Sequence, residues 1–302
     1  MYYIIDYFIA VGIAIMPKNK LYKYTFSPPA RLAWLTAKIY KVPTEIVDVD
    51  LARAEQLDPE FLKVNPKHEV PAFDHNGEYV TESREIAKYF HENFNKNEDD
   101  NDHWYPKDPE KRAKVDEWLA WSDRRHMTFC KPPLLYAAST VGMPWRETCG
   151  IIVAIMGYIV RNNKDIYSDM KACLSEADQF LSERKIQEVD DLNLGDLAVF
   201  FESSLSFFLL SEIRFDDYPA FKNLYHVIQK MQEFEQIDQE YIAFTNRVHE
   251  FRKIDPTPTL FTYISEIWTS FKLVAYITWN GIQMNTKASE RLPEYSKSKF
   301  IF

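Results

Sequence analysis

The 302-residue chain reads as an α/β module followed by an all-helical module. A strand–helix–strand pattern opens the first module, and an Asn-Gly hairpin signal closes its sheet. Beyond a polar stretch the apolar residues recur almost throughout at helical spacing. The length fits two domains, and 46% hydrophobic with 15% aromatic residues is ample for folded cores.

Element by element, Leu21 to Phe26 reads as a strand. Pro28 and Pro29 suit the first turn of a helix, where a missing N–H does no harm, and Leu32, Leu35 and Ile39 carry that helix to Tyr40. Glu45 to Val49 forms the second strand, completing a right-handed βαβ unit. A connecting stretch leads to Val70–Phe73 and Glu78–Val80, which flank His75-Asn76-Gly77 as a hairpin. From Glu82, Ile86, Tyr89 and Phe90 share one helical face. Asn93 to Pro109 is a polar linker. Val115, Trp118 and Leu119 mark the next helix, and Gly150 to Val160 a buried one too short to span a bilayer. Asn193 and Asp196 cap another. Two more are expected over Ala220–Phe234 and Asp238–Phe251. Leu260, Ile264, Trp268, Phe271 and Val274 form a helical stripe in the tail, read as a packing helix. Glu266 and Lys272 within it argue against a membrane span, since each costs about 3 kcal/mol near a bilayer centre.

These elements divide the chain into an apolar extension (1–16), an α/β domain (17–95), a linker (96–109), a helical domain (110–255) and a tail (256–302). The extension lacks the basic n-region of a secretory signal and reads as residues from an upstream start codon, with Met16 five residues before the first strand; the alternatives are an extra N-terminal helix or strand, or an N-terminal anchor.

Composition excludes several functions. A net charge of −9 disfavours nucleic-acid binding, which needs a basic surface to displace counterions. Seven glycines and no G-x-x-x-x-G-K or G-x-G-x-x-G leave no phosphate cradle. Cys130, Cys149 and Cys173 are odd in number and show no C-x-x-C, as free thiols of a reducing, cytoplasmic compartment would. The histidines are scattered, with no H-E-x-x-H, so no metal is expected.

Three motifs carry chemistry. Ser27 sits where a strand gives way to a helix, beside unpaired N–H donors and partial positive charge that favour an anion. There it is either a plain N-cap or a hydrogen-bond donor to a thiolate. A free thiol titrates near about 8.5. Lowering that by two pH units requires ~2.7 kcal/mol, roughly one charge-assisted hydrogen bond plus a helix dipole. Val70-Pro71 invites a cis peptide that would leave the Val70 backbone free to pair with an extended ligand; the alternative is a trans proline on an edge strand. Glu82-Ser83 at a helix start offers a carboxylate for an ammonium and an N–H with a hydroxyl for a carboxylate. Together these two residues suit an amino-acid head group; the alternative is a capped helix with a solvated Glu82.

In this order, Ser27-Pro28-Pro29-Ala30-Arg31, Val70-Pro71-Ala72, Thr81-Glu82-Ser83 and a helical domain resemble a glutathione S-transferase of the theta class. Asp102 to Pro106, Arg112 to Trp121 and the Asn193–Asp196 box are similar to that class as well, so the likeness covers roughly Lys20 to Lys253. The resemblance implies the glutathione transferase fold: an α/β thioredoxin-like N-terminal domain plus an all-α C-terminal domain, in a homodimer. It implies that glutathione is the cosubstrate, with Ser27 stabilising its thiolate, Val70 and Pro71 meeting the cysteinyl part, and Glu82 and Ser83 the γ-glutamyl end. The thiolate would attack a small hydrophobic electrophile, as in detoxification, with no metal. Theta-class enzymes often fold a C-terminal segment over the electrophile, the alternative reading of the tail helix.

Three positions depart from the family pattern. Gln56 stands where the family often has histidine near the glycyl carboxylate. Glu69 stands where lysine or glutamine is common, with Arg53, Lys67 and His68 as candidate compensating cations. Met127 falls where some theta enzymes place an arginine, with Arg124 and Arg125 nearby. These departures motivate an alternative, a non-catalytic transferase-like interaction module.

Overall fold

A computed structural model describes residues 19–51, 55–96, 103–138, 164–210 and 213–254. The N-terminal extension, Arg53, Cys149, the expected Gly150–Val160 helix and the tail stripe lie outside the described residues.

The first module orders as β1 (Asn19–Lys23), α1 (Pro28–Ile39), β2 (Thr44–Asp48), a 3-10 turn (Glu55–Leu57), α2 (Pro59–Val64), β3 (Ala72–His75), β4 (Glu78–Thr81) and α3 (Ser83–Phe94). Its four strands lie in the order β2-β1-β3-β4. β1 and β2 pair in parallel across the α1 crossover, as the βαβ pattern requires, while β3 is antiparallel to β1 and to β4. Asn76 and Gly77 both take positive φ (56° and 96°), the conformation an Asn-Gly hairpin turn demands.

Alternation along the strands splits the sheet into two faces. Leu21 and Phe73 join Leu32, Leu35, Ile86 and Phe90 of α1 and α3 in the main core. Their neighbours Tyr22 and Ala72 pack instead with Phe61 and Val64 of α2.

The second module comprises α4 (Pro109–Ala138), α5 (Lys164–Arg184), α6 (Leu194–Leu209), α7 (Pro219–Ile228) and α8 (Gln232–Ile254). α6 is buried along almost its whole length and forms the axis of the bundle. Its start is fixed by the expected capping box: the Asp196 N–H donates to Asn193 Oδ1 (3.1 Å) and the Asn193 N–H to Asp196 Oδ2 (2.9 Å). Arg184 clamps the buried Asp196 carboxylate from α5. No helix among the described residues is long and apolar enough to cross a membrane.

Several boundaries differ from the sequence expectation, each for a local reason. β1 ends at Lys23 rather than Phe26, because the Ser27 N–H donates to the Tyr24 carbonyl (2.9 Å) and closes a turn. Val70 precedes the strand it was expected to begin, since pairing starts at Ala72. The connecting stretch holds α2, capped by Asp58, whose side chain accepts the Glu60 N–H (2.8 Å). The same Asp-Pro-Glu device recurs at Asp108, so α4 already begins at Pro109, a residue expected to close the linker. Finally, the chain expected to be helical over Ala220–Phe234 breaks at Gln229–Met231. Lys230 and Met231 donate to carbonyls three residues back, tightening the turn. Ile228, Met231, Phe234 and Ile237 are all buried across this break, so apolar periodicity runs through it unchanged.

Candidate functional site

A cavity of about 400 Å³ lies between the two modules. Its walls include Ser27, Gln56, His68, Val70, Pro71, Glu82 and Ser83 from the α/β module and Leu119, His126, Met127, Ala198 and Glu202 from the helices. Sequence positions far apart thus meet in one hollow. A larger and more open hollow of about 680 Å³ adjoins Lys23, Trp34 and Glu240. Its buried cation is already committed, since Lys23 Nζ lies 2.7 Å from Asp48 and 3.4 Å from Glu240.

Ser27 is the N-cap of α1: its Oγ accepts the Ala30 N–H at 3.4 Å. A hydroxyl that accepts one hydrogen bond still carries a proton to donate, so capping and ligand binding are compatible. The expectation of two exclusive roles is thereby relaxed. Leu32 and Leu35 anchor the helix behind it in the core.

The opposite wall is the loop before β3. The Val70–Pro71 peptide is cis. Asn65, almost fully buried, holds this loop in shape: its Nδ2 donates to the Glu69 carbonyl (2.8 Å) and its Oδ1 accepts the Lys67 N–H (3.1 Å). The ladder between β1 and β3 runs from Ala72 to Asp74, so the Val70 backbone lies outside it. The Glu69 side chain is exposed at the rim.

Glu82 sits at the junction of β4 and α3 with φ 68° and ψ 121°, a strained backbone for a residue with a Cβ. Its side chain makes no cap, and its carboxylate instead meets Lys67 Nζ at 2.7 Å. That pairing raises the Lys67 ammonium above its ordinary range. The first N–H groups of α3, starting at Ser83, are left without a side-chain cap, the arrangement that receives a carboxylate. Gln56 contributes a buried Oε1 that has no hydrogen-bond partner among the described residues.

The remaining expected cations divide. His68 lines the cavity. Lys67 reaches it through Glu82. Arg124 is exposed and away from the cavity wall, and Arg125 turns toward Glu176 on α5 (3.6 Å), so neither replaces the arginine expected near Met127. Met127 itself is 62% exposed. Helix geometry explains this: residues 124, 125 and 127 lie off the stripe that faces α6.

The structure adds residues that spacing alone did not indicate. Arg84, next to Ser83, lines the cavity and lies 3.4 Å from Asp123. His126 Nδ1 lies 2.7 Å from the buried Glu202 carboxylate and 3.5 Å from Cys130 Sγ. Burial opposes protonation of that imidazole, but its bonds with Cys130 and Glu202 outweigh burial and push it up to about 11. Burial pushes the Cys130 thiol up. Behind them Arg31, fully buried, donates to Ser204 (3.0 Å) and stacks over the Tyr241 ring (3.7 Å). An i, i+4 relation between His126 and Cys130 was the available signal; their carboxylate partner comes from another helix.

Comparison with known proteins bears on the family and the fold. Residues 21–98 match the family model of the glutathione S-transferase N-terminal domain. Glutathione S-transferase theta-1 of Rattus norvegicus is 37% identical over 102 residues, which is 34% of this chain and 41% of that protein. The match thus spans about two fifths of the relative's length. A delta-class glutathione transferase from Nilaparvata lugens superposes with a TM-score of 0.60 at 27% identity, covering 77% of this chain and 99% of that one. Human glutathione transferase theta-2, in complex with glutathione, superposes with a TM-score of 0.60 at 21% identity, covering 84% and 99% of the two chains. The N-terminal module is theta-class-like in sequence, and the chain has the glutathione transferase fold.

Proposed function

We propose that this chain, a theta-class-like member of the glutathione transferase fold, is a glutathione transferase acting on small hydrophobic electrophiles. The single observation that carries the reading is the shared cavity, in which Ser27, Val70, Glu82 and Ser83 surround one space. In this reading the Ser27 hydroxyl donates to the glutathione sulfur while its lone pair keeps the Ala30 cap. The Val70 backbone, outside the strand ladder, pairs with the cysteinyl backbone, and Pro71 shapes that edge. The γ-glutamyl carboxylate docks on the open α3 start at Ser83, and its ammonium meets Glu82, whose pairing with Lys67 holds the carboxylate in place. Gln56 offers its unpartnered carbonyl to a ligand N–H, and Arg84 supplies positive charge on the wall that also holds His68 and the Glu69 carboxylate. Leu119, Met127 and Ala198 form the apolar side, suited to an electrophile. We further infer a homodimer working in the cytoplasm, on the family likeness and the free-thiol reading of the cysteines.

Calorimetry with glutathione tests the site, and thiolate absorbance of the complex tests the chemistry. The bound thiol should titrate below the free value of about 8.5. Ser27→Ala should raise it by about one pH unit and lower kcat/KM about tenfold to a hundredfold with alkyl halides, epoxides or aryl halides. Unchanged kinetics would remove Ser27 from the mechanism, and absent binding would remove the function.

A further inference from the structure

We propose that His126, Cys130 and Glu202 form a binding site for a zinc-type divalent cation at the inner end of the cavity. The three donor atoms all lie within 4.8 Å of one another. His126 and Cys130 are one turn apart on α4, and Glu202 faces them from α6. The two helices are packed together, and the donors lie where α4, just before its Pro132-Pro133 pair, meets the buried α6.

Geometry and chemistry both suit the ion. Around tetrahedral zinc, with ligands about 2.0–2.3 Å from the metal, neighbouring donors sit roughly 3–4 Å apart. The sulfur–nitrogen separation of 3.5 Å already meets this. The nitrogen–oxygen separation of 2.7 Å is that of a shared proton, and replacing the proton by a metal needs the pair to part by less than about 1 Å. Imidazole nitrogen, thiolate sulfur and one carboxylate select zinc, cobalt or copper over calcium and magnesium, which favour all-oxygen shells. Three protein donors leave a fourth position. Glu202 and Cys130 are buried, while His126 and Glu202 line the cavity, so that position opens toward it.

The charges also balance. Without metal, one proton lies in the His126–Glu202 hydrogen bond and another on the free Cys130 thiol. Cation binding drives one proton from the His126–Glu202 hydrogen bond and one from the Cys130 thiol, and both leave to solvent. Two charges enter and two protons depart, so the net charge of the buried cluster is unchanged. No oxidant or reductant takes part. The site stands whether or not glutathione occupies the rest of the cavity, because none of its three donors comes from the α/β module.

Full-length protein, stripped with a chelator and then freed of it, is titrated with Co²⁺ under reducing conditions. The expected result is one Co²⁺ per chain, with a thiolate-to-cobalt charge-transfer band and the intense visible bands of four-coordinate cobalt, both bleached by Zn²⁺. Cys130→Ser should lose the charge-transfer band, and His126→Gln should weaken Zn²⁺ binding by about tenfold or more. Should either variant fail to fold, X-ray absorption of the zinc-loaded wild type decides. One sulfur near about 2.3 Å with nitrogen and oxygen near about 2.0 Å supports the site. The proposal is overturned by absence of the charge-transfer band in the wild type, by its persistence in Cys130→Ser, or by a zinc shell without sulfur. Calorimetry with glutathione on the metal-free protein reads the proposed function separately.

Discussion

Asn65 shows what a single buried side chain outside the sequence motifs does for the site, whose wall it joins. It lies between α2 and the Val70–Pro71 wall, and its two hydrogen bonds fix the backbone at Lys67 and Glu69. Asn65→Ala removes both partners at once and leaves a carbonyl underpaired. We expect a loss of about 1–2 kcal/mol in urea unfolding and a raised KM for glutathione with a smaller change in kcat, because the affected wall binds and does not react. An unchanged KM would show that the loop keeps its shape without Asn65. At this scale the sequence indicated six residues, Ser27, Gln56, Val70, Pro71, Glu82 and Ser83, that do line one cavity. Asn65, Arg84 and the His126–Glu202 pair were not legible, because nothing in their local spacing distinguishes them from solvated or core residues.

The helix starts at Ser27 and Asn193 were legible, since a cap is a local event written in three or four consecutive residues, while those at Asp58 and Asp108 were passed over although the same kind of cap stands there. The Asn193–Asp196 box is formed as its letters suggest. Its placement, however, depends on Gly195. A Cβ there would stand 3.0 Å from Trp118 Cβ and 3.3 Å from the Val115 carbonyl of α4. Gly195→Ala should therefore push α6 from α4 and cost about 1–3 kcal/mol in denaturant unfolding. Asn193→Ala, which removes only the cap, should cost about 1 kcal/mol. A Gly195→Ala protein as stable as the wild type would mean that the helices part without loss. Helix ends were less legible: the break at Gln229–Met231 carries no Gly or Pro, and only the turn's own hydrogen bonds mark it.

Across the whole molecule the two modules share one interior. Arg31 of α1 reaches Ser204 of α6, Phe26 packs on Phe244 of α8 at 4.9 Å, and the buried Lys23 of β1 spans to Glu240. Lys23 also lies 4.3 Å over the Trp34 ring. Separating the modules would take Arg31 from Ser204 and the Tyr241 ring and open the Phe26–Phe244 contact to water, while Lys23 would keep Asp48 within its own module. The described modules should accordingly unfold in one transition, seen as coincident far-ultraviolet dichroism and tryptophan fluorescence curves. Two resolved transitions would show that the interface contributes little. By itself the sequence determined the βαβ opening, the Asn-Gly hairpin, the caps at Ser27 and at Asn193–Asp196 and the order of the glutathione-type motifs, because each is set by neighbours along the chain. Only the tertiary structure decided which side chains close the cavity, that Arg124 and Arg125 turn away from it while His126 faces it, and that Glu202 meets His126 and Cys130. Those outcomes depend on how α4 is rotated against α6, which is fixed by packing between residues some seventy positions apart.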